Sequence, residues 1–328
     1  MKAAVLAVVL LACSSPGKHI DAPASAWSQG SDVPKPRLEP GVTALGQRMI
    51  VVGGFDTDLQ AGLDITKRVD VYDAGTDSWS ELPDAPVAWT HIQLAGLGTR
   101  VYLLGGLEGQ SYTAKGDCFV LDTADATPAW QPIAPIPPGF ERGSAAVVVA
   151  MPRIYLLGGA STTGAVATNI YYDVQANMWA QLMPDLPMAR SHPAGMRTVD
   201  GRLIVAGGLA TLDATQPAKD VWSLVPTGTM WETKAPMPTA RGGCAYGVIQ
   251  GQLICAGGEA GQAAQSTTAS YDPLGDVWTT VEDMPESRAG TQGAAIGSRL
   301  FVPGGAAALV FEPTSTLYIY SPLDTAAR

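Results

Sequence analysis

Six times along the chain an apolar run ends in two adjacent glycines. The doublets are Gly53-Gly54, Gly105-Gly106, Gly158-Gly159, Gly207-Gly208, Gly257-Gly258 and Gly304-Gly305. They follow RMIVV, RVYLL, RIYLL, RLIVA, QLICA and RLFVP, at spacings of 52, 53, 49, 50 and 47 residues. Glycine weakens a strand interior, so a single pair there would read as an accident and six do not. A period of this length marks stacked supersecondary units that bury their faces against one another.

A tryptophan follows each of the first five doublets, 21 to 26 residues beyond its first glycine: Trp79, Trp130, Trp179, Trp231 and Trp278. Between doublet and tryptophan lie VDVYD, CFVLD, NIYYD, DVWSL and TASYD. The sixth doublet is followed by LYIYS and no tryptophan. Trp27, however, stands 26 residues before Gly53, as Trp79 stands 26 before Gly105. Trp27 therefore reads as the missing sixth, which requires the two ends of the chain to meet. A closed ring also removes the exposed sheet edges of an open array.

Each unit reads as four antiparallel strands, a to d. In the fourth these are PAGMRTV, RLIVAGG, KDVWSL and MWETK, and Asp200-Gly201 predicts a type I′ hairpin between the first two. LG, IG and QG serve at the same point of other units. The b strands are apolar throughout, which predicts burial on both faces.

A Gly-Gly doublet, a tyrosine and a tryptophan repeating about every fifty residues resemble the kelch repeat. The resemblance covers residues 27–321. It implies an all-β chain: a six-bladed β-propeller of four-stranded antiparallel blades, closed by an N-terminal strand completing the last blade. The doublet then lets the chain turn sharply and pass close to the adjacent blade. The tryptophans and tyrosines fill the wedges between blades.

The chain opens with MKAAVLAVVLLACSSPGK. Lys2 and the apolar stretch 3–11 fit a secretory signal and are too short to span a bilayer. LLAC resembles a bacterial lipobox, which implies cleavage leaving Cys13 as a lipidated first residue. The expected organisation is a signal at 1–12, a tether at 13–26, the propeller at 27–321 and a tail at 322–328. The expected location is the bacterial cell envelope, with a monomeric protein touching the membrane only through its lipid anchor. A formal charge of −10 and a pI near 4.7 exclude nucleic acid as the main partner. Cys118, Cys244 and Cys255 remain, an odd number and no disulfide framework. A turn at Gln250-Gly251 sets Cys255 opposite Tyr246 and Cys244 diagonally across, a poor geometry for a bridge. All three are expected as small core residues.

In this topology the d–a and b–c loops share one mouth of the ring. Ten to twelve residues after each tryptophan, at the d–a approach, come Arg37, Trp89, Arg142, Arg190, Arg241 and Arg288. Guanidinium forks at a mouth suit carboxylates, phosphates and sugar hydroxyls. The kelch resemblance implies binding of acidic peptides or small ligands there. Trp89, standing where the other units carry arginine, suits a stacking platform for a sugar or ring and equally suits drift of the repeat. The same arginines equally suit locks between blades. His91 and His192 sit two residues beyond the ring position, suited to metal ligation or proton shuttling if both line the mouth, and otherwise to half-buried hydrogen bonding. Glu108 and Glu259 follow their doublets closely and suit acid–base work or pairing with the arginines. No cofactor or metal is expected. DTDLQAGLD departs from a calcium loop at its glycine and its last position. No phosphate loop, nucleophile elbow or zinc spacing is present, and no separate region supplies the copper ligands of galactose-oxidase-type enzymes.

The reading that follows is an envelope-anchored kelch module binding a protein, or a small acidic or carbohydrate ligand, at the d–a and b–c mouth. A periodic arginine cluster also suits a sugar carboxylate, as in a periplasmic mutarotase or epimerase resembling the sialic-acid mutarotases. A structural surface protein without a small-molecule site is the third reading.

Overall fold

The apolar b strands lie second from a common axis in six four-stranded antiparallel sheets of a computed structural model, which describes residues 25–56, 64–211, 215–225 and 227–323. The leader, Cys13, the tether to residue 24 and the tail from residue 324 lie outside the described residues. Blade 1 takes Gly41–Leu45, Arg48–Val52, Val69–Asp73 and Ser78–Leu82 as strands a to d. Blade 2 takes Leu94–Leu97, Arg100–Glu108, Thr113–Asp122 and Gln131–Ile133. Blade 3 takes Ala146–Ala150, Arg153–Leu157, Asn169–Asp173 and Met178–Leu182. Blade 4 takes Ala194–Arg197, Leu203–Ala206, Val221–Leu224 and Glu232–Lys234. Blade 5 takes Ala245–Ile249, Gln252–Ala256, Thr268–Asp272 and Val277–Val281. Blade 6 takes Ala294–Ile296, Arg299–Pro303 and Leu317–Tyr320, and its strand d is Trp27–Gly30 from the other end of the chain.

The ring closes as the tryptophan count requires. Trp27 pairs with Tyr320 and Gln29 with Tyr318, and the Trp27 ring packs 5.1 Å from that of Tyr320. Among the described residues the core comprises six wedges, one per blade interface, and a small further cluster of Leu38, Phe55 and Ala306. Met49, Val51 and Tyr72 of blade 1, for example, pack on Phe301, Leu317 and Ile319 of blade 6. Each repeat tryptophan does more than fill space. Its indole N–H donates to a backbone carbonyl of the preceding blade: Trp79 to Ser31, Trp130 to Pro83, Trp179 to Ala134, Trp231 to Pro184, Trp278 to Ala235 and Trp27 to Glu282, all between 2.8 and 3.1 Å.

The doublets explain themselves at Gly158-Gly159. Both residues hold positive φ, 63° and 112°, and a Cβ on Gly158 would lie 2.6 Å from the Arg190 carbonyl of the next blade. The Gly159 N–H donates to that same carbonyl at 2.8 Å. The bond recurs from Gly54 to Trp89, Gly208 to Arg241, Gly258 to Arg288 and Gly305 to Arg37. A side chain would therefore be strained by φ and blocked by the neighbouring blade.

Two local expectations are corrected. At Asp200-Gly201 only the glycine has positive φ. The Gly201 N–H bonds the Thr198 carbonyl, and the Thr198 N–H bonds that of Arg202, so this is a three-residue loop rather than a type I′ turn. Gln250-Gly251 has the type I′ signature, with φ of 51° and 81°. Cys244 and Cys255 form a disulfide with Cα atoms 5.5 Å apart. The diagonal argument fails because Cys244 precedes strand a, which begins at Ala245, so the ladder does not fix its direction. Cys118 is buried and free, as expected.

Trp27→Ala should lower stability by about 3–5 kcal/mol, since it removes a wedge residue and the last indole staple. Denaturant unfolding measures this. A loss below about 0.5 kcal/mol, typical of a surface site, would mean the ring does not depend on its closing strand.

Candidate functional site

The five ring arginines are in the blade walls, with relative exposure of 0 to 2%. Arg37 pairs with Asp70 at 2.9 Å and Asp56 at 3.2 Å. Arg142 donates to the carbonyls of Phe140, Gly158 and Thr168, and Arg241 to those of Gly257 and Thr267. Arg190 bonds Asp220 and lies over the Trp222 ring; Arg288 bonds Glu286 and lies over Tyr318. Arg37, Arg142, Arg190 and Arg241 thus satisfy carbonyls or carboxylates in the segment that follows their own doublet, whereas Arg288 bonds its own d–a segment. Burial pulls Arg142 and Arg241 down to about 10, which leaves both charged at neutral pH. Trp89 is buried in the wedge between blades 1 and 2 and offers no stacking face. Glu108 is half exposed and paired with Lys115 at 2.7 Å. None of these seven residues lines the mouth cavity.

The residues two positions beyond the ring do meet at the axis. They are Glu39, His91, Ser144, His192, Gly243 and Gly290, and all six have φ between 52° and 64°. A backbone collar joins them: Glu39 N–H to Gly290 O, His91 to Glu39, Ser144 to His91, His192 to Ser144 and Gly243 to His192, at 2.7 to 3.0 Å. Left-handed backbone favours glycine, and a bulkier residue there is uncommon. Blades 5 and 6 place glycine at this point; blades 1 to 4 place glutamate, histidine, serine and histidine.

The collar encloses a throat of about 40 Å³, lined also by Tyr246, Glu259, Thr291 and Gln292. Above it, on the d–a and b–c side, opens a cavity of about 440 Å³ reached by Glu39, His91, Tyr112, His192, Glu259 and the loop 308–311. Below it the a strands enclose a channel of about 360 Å³. No lysine or arginine is among the described residues lining throat or cavity.

His91 Nε2 stands 3.3 Å from Glu39 Oε2, and the rings of His91 and His192 meet edge to face at 5.1 Å. Each Nδ1 has a hydroxyl beside it. His91 Nδ1 lies 2.8 Å from Thr90 Oγ1, which is 3.4 Å from the Leu107 carbonyl, and His192 Nδ1 lies 3.1 Å from Ser191 Oγ, which is 3.2 Å from the Thr211 carbonyl. When each hydroxyl donates to its carbonyl, it accepts from Nδ1–H and Nε2 keeps the free lone pair, that of His192 beside the Ser144 hydroxyl. Burial pushes both imidazoles down to about 3, so they stay neutral. Burial raises Glu39 above the ordinary carboxylate range. It raises Glu259 likewise, and the Glu39 charge adds to that rise.

Glu39, Ser144 and Tyr112 were not among the residues singled out from the sequence. The signal for the first two was present: the two-residue offset that marks His91 and His192, applied to every unit, gives the whole collar.

The comparisons bear on this frame directly. The KLHDC2/KLHL20/DRC7 Kelch-repeats domain matches residues 90–305, and the Kelch motif matches residues 36–86. The chain belongs to the kelch family. Kelch-like protein terF of Aspergillus terreus is 34% identical over 238 residues, 68% of this kelch chain and 50% of that protein. Kelch-like protein 23 of Mus musculus is 28% identical over 242 residues, 71% of this chain and 39% of the relative. An N-(sulfonatooxy)prop-2-enimidothioate sulfolyase of Thlaspi arvense is 26% identical over 267 residues, 70% and 72% of the two chains. The chain thus spans half or less of the kelch-like relatives terF and Kelch-like protein 23.

Two outcomes test this geometry. Arg142→Ala leaves the Gly158 and Thr168 carbonyls without their donor, and should cost about 3 kcal/mol or more in denaturant unfolding. A near-neutral effect would return the guanidinium to a ligand role. Glu259 keeps its proton in the folded chain at pH values where the unfolded chain has lost it. The folded state then binds more protons, so stability falls as pH rises above the ordinary carboxylate range. Glu259→Gln should flatten that fall between about pH 5 and pH 9 in chelator-treated buffer. An unchanged profile would show Glu259 to be solvated.

Proposed function

We propose that this kelch propeller is a binding module that captures a protein partner at the mouth built by its d–a and b–c loops, tethered to the cell envelope through Cys13. The mouth cavity carries the reading. On its rim the loop 308–311 exposes Leu309, Val310 and Phe311, at 37, 49 and 52%. Grouped apolar side chains around a recessed polar floor suit the centre of a protein interface. The floor sets the partner's chemistry. Glu39 and Glu259 face the cavity with no lysine or arginine among its described lining residues, which favours a lysine or arginine inserted by the partner over an acidic ligand. The mutarotase alternative required guanidinium groups facing a sugar carboxylate, and those groups lie within the blades. The LLAC motif supports export and anchoring. The Cys244–Cys255 bond supports an oxidising compartment.

A photo-crosslinking side chain at position 311 should yield a discrete adduct in intact envelopes. The same probe at Val199, 93% exposed on an a–b turn at the opposite end, should yield none. Equal labelling at both ends, or none at 311, removes the mouth as the binding surface. In the same cells Cys13→Ser should shift the protein from the membrane to the soluble fraction, and unchanged sedimentation removes the anchor.

A further inference from the structure

The geometry points to a site for one divalent transition-metal ion in the collar, held by Glu39, His91 and His192, with its remaining coordination positions open to the mouth cavity. One ligating atom from each of the three lies within 4.8 Å of the others. The Glu39 Oε2 to His91 Nε2 separation of 3.3 Å already matches the edge of a tetrahedron with bonds of about 2.0–2.1 Å. The throat volume of about 40 Å³ is the size of an ion with a water beside it, not of an organic ligand.

Three further observations favour a metal over a simple polar cluster. First, the surroundings suit the tautomer a metal requires. Each Nδ1 lies beside a hydroxyl that is within hydrogen-bond distance of a backbone carbonyl, so Nδ1–H can be held there while Nε2 is free to ligate. That is the outer-shell arrangement that orients ligating imidazoles. Second, Glu39, His91 and His192 occupy left-handed backbone positions where the same collar elsewhere uses glycine. A strained residue held by its surroundings at a cavity floor points to use of its side chain. Third, two carboxylates, Glu39 and Glu259, share a desolvated throat whose described lining holds no lysine or arginine. A divalent cation supplies the missing positive charge.

Two imidazole nitrogens with one carboxylate select zinc-class ions over calcium or magnesium, which prefer all-oxygen sites. Glu259 lines the same throat and is not one of the three clustered ligands. From there it can hold a metal-bound water or a cationic group arriving through the mouth. The site shares its cavity with the proposed partner surface but does not depend on it.

The test uses the full, untagged chain after chelator treatment, titrated with zinc and with cobalt(II). Wild type should take up one equivalent of zinc by calorimetry. The cobalt form should show the intense visible absorption of a four- or five-coordinate nitrogen and oxygen site. His91→Gly and His192→Gly retain a residue suited to the left-handed backbone, so they keep the collar while removing the ligand. Each should weaken zinc binding by more than about 100-fold. Thr90→Val, which frees Nδ1 of His91, should weaken it by about 10–100-fold. His19→Ala should leave it unchanged. Far-ultraviolet circular dichroism of the metal-free variants verifies folding, and added zinc should raise the melting temperature of wild type and His19→Ala but not of the two glycine variants. No uptake by wild type overturns the site. So does one equivalent retained in the folded His91→Gly, His192→Gly double variant. Because no partner is present, failure of the crosslinking experiment leaves this result standing, and the reverse also holds.

Discussion

No blade of this propeller can bury its own faces. Each sheet is apolar on both sides, and its partner on either side is another blade. Closure is therefore the condition for every wedge, including those far from the seam. The chain meets that condition by placing Trp27 against Tyr318 and Tyr320 at the cost of a loop closed across nearly its whole length. The same indole-to-carbonyl bond then repeats at all six interfaces. A seam built from the common interface need not be a weak point.

The charges are distributed by the same logic. Five arginines lie inside the blades, where Arg142 and Arg241 satisfy carbonyls of the Gly-Gly turns and Arg37, Arg190 and Arg288 pair with carboxylates. Such burial is tolerable because nearly every guanidinium has several acceptors. The mouth is left with carboxylates and neutral imidazoles. The five ring arginines thus belong to the frame, and the described lining of the mouth presents acidic and apolar groups with no lysine or arginine.

Much of the frame was legible because it repeats. Six glycine doublets, six tryptophans and their spacing gave blade number, strand order and closure. A feature seen six times rests on average behaviour, not on one propensity. What repetition could not supply was side-chain direction. Arg37 and its equivalents lie at the d–a approach as expected, yet they turn into the wall. The sequence marks where the chain passes, and the acceptors that draw Arg37, Arg142, Arg190 and Arg241 inward come from the distant b–c loop or strand c. Trp89 departs from the arginine series without facing a ligand: it packs in the wedge between blades 1 and 2, beside Gly106. The disulfide was missed because Cys244 stands one residue outside the ladder used to judge it. The collar was missed for the opposite reason. Its residues differ from unit to unit, so the constant element, a left-handed backbone tied blade to blade, leaves no constant letter in the sequence.

That collar separates architecture from chemistry. Its hydrogen bonds use only main-chain atoms, so the frame is indifferent to which side chain each of the six positions carries, apart from the strain of a Cβ. Glycine is the blank that any of them can revert to. Six interchangeable sockets around one axis allow a new constellation of groups to be installed by point substitution, without renegotiating the packing of a single blade.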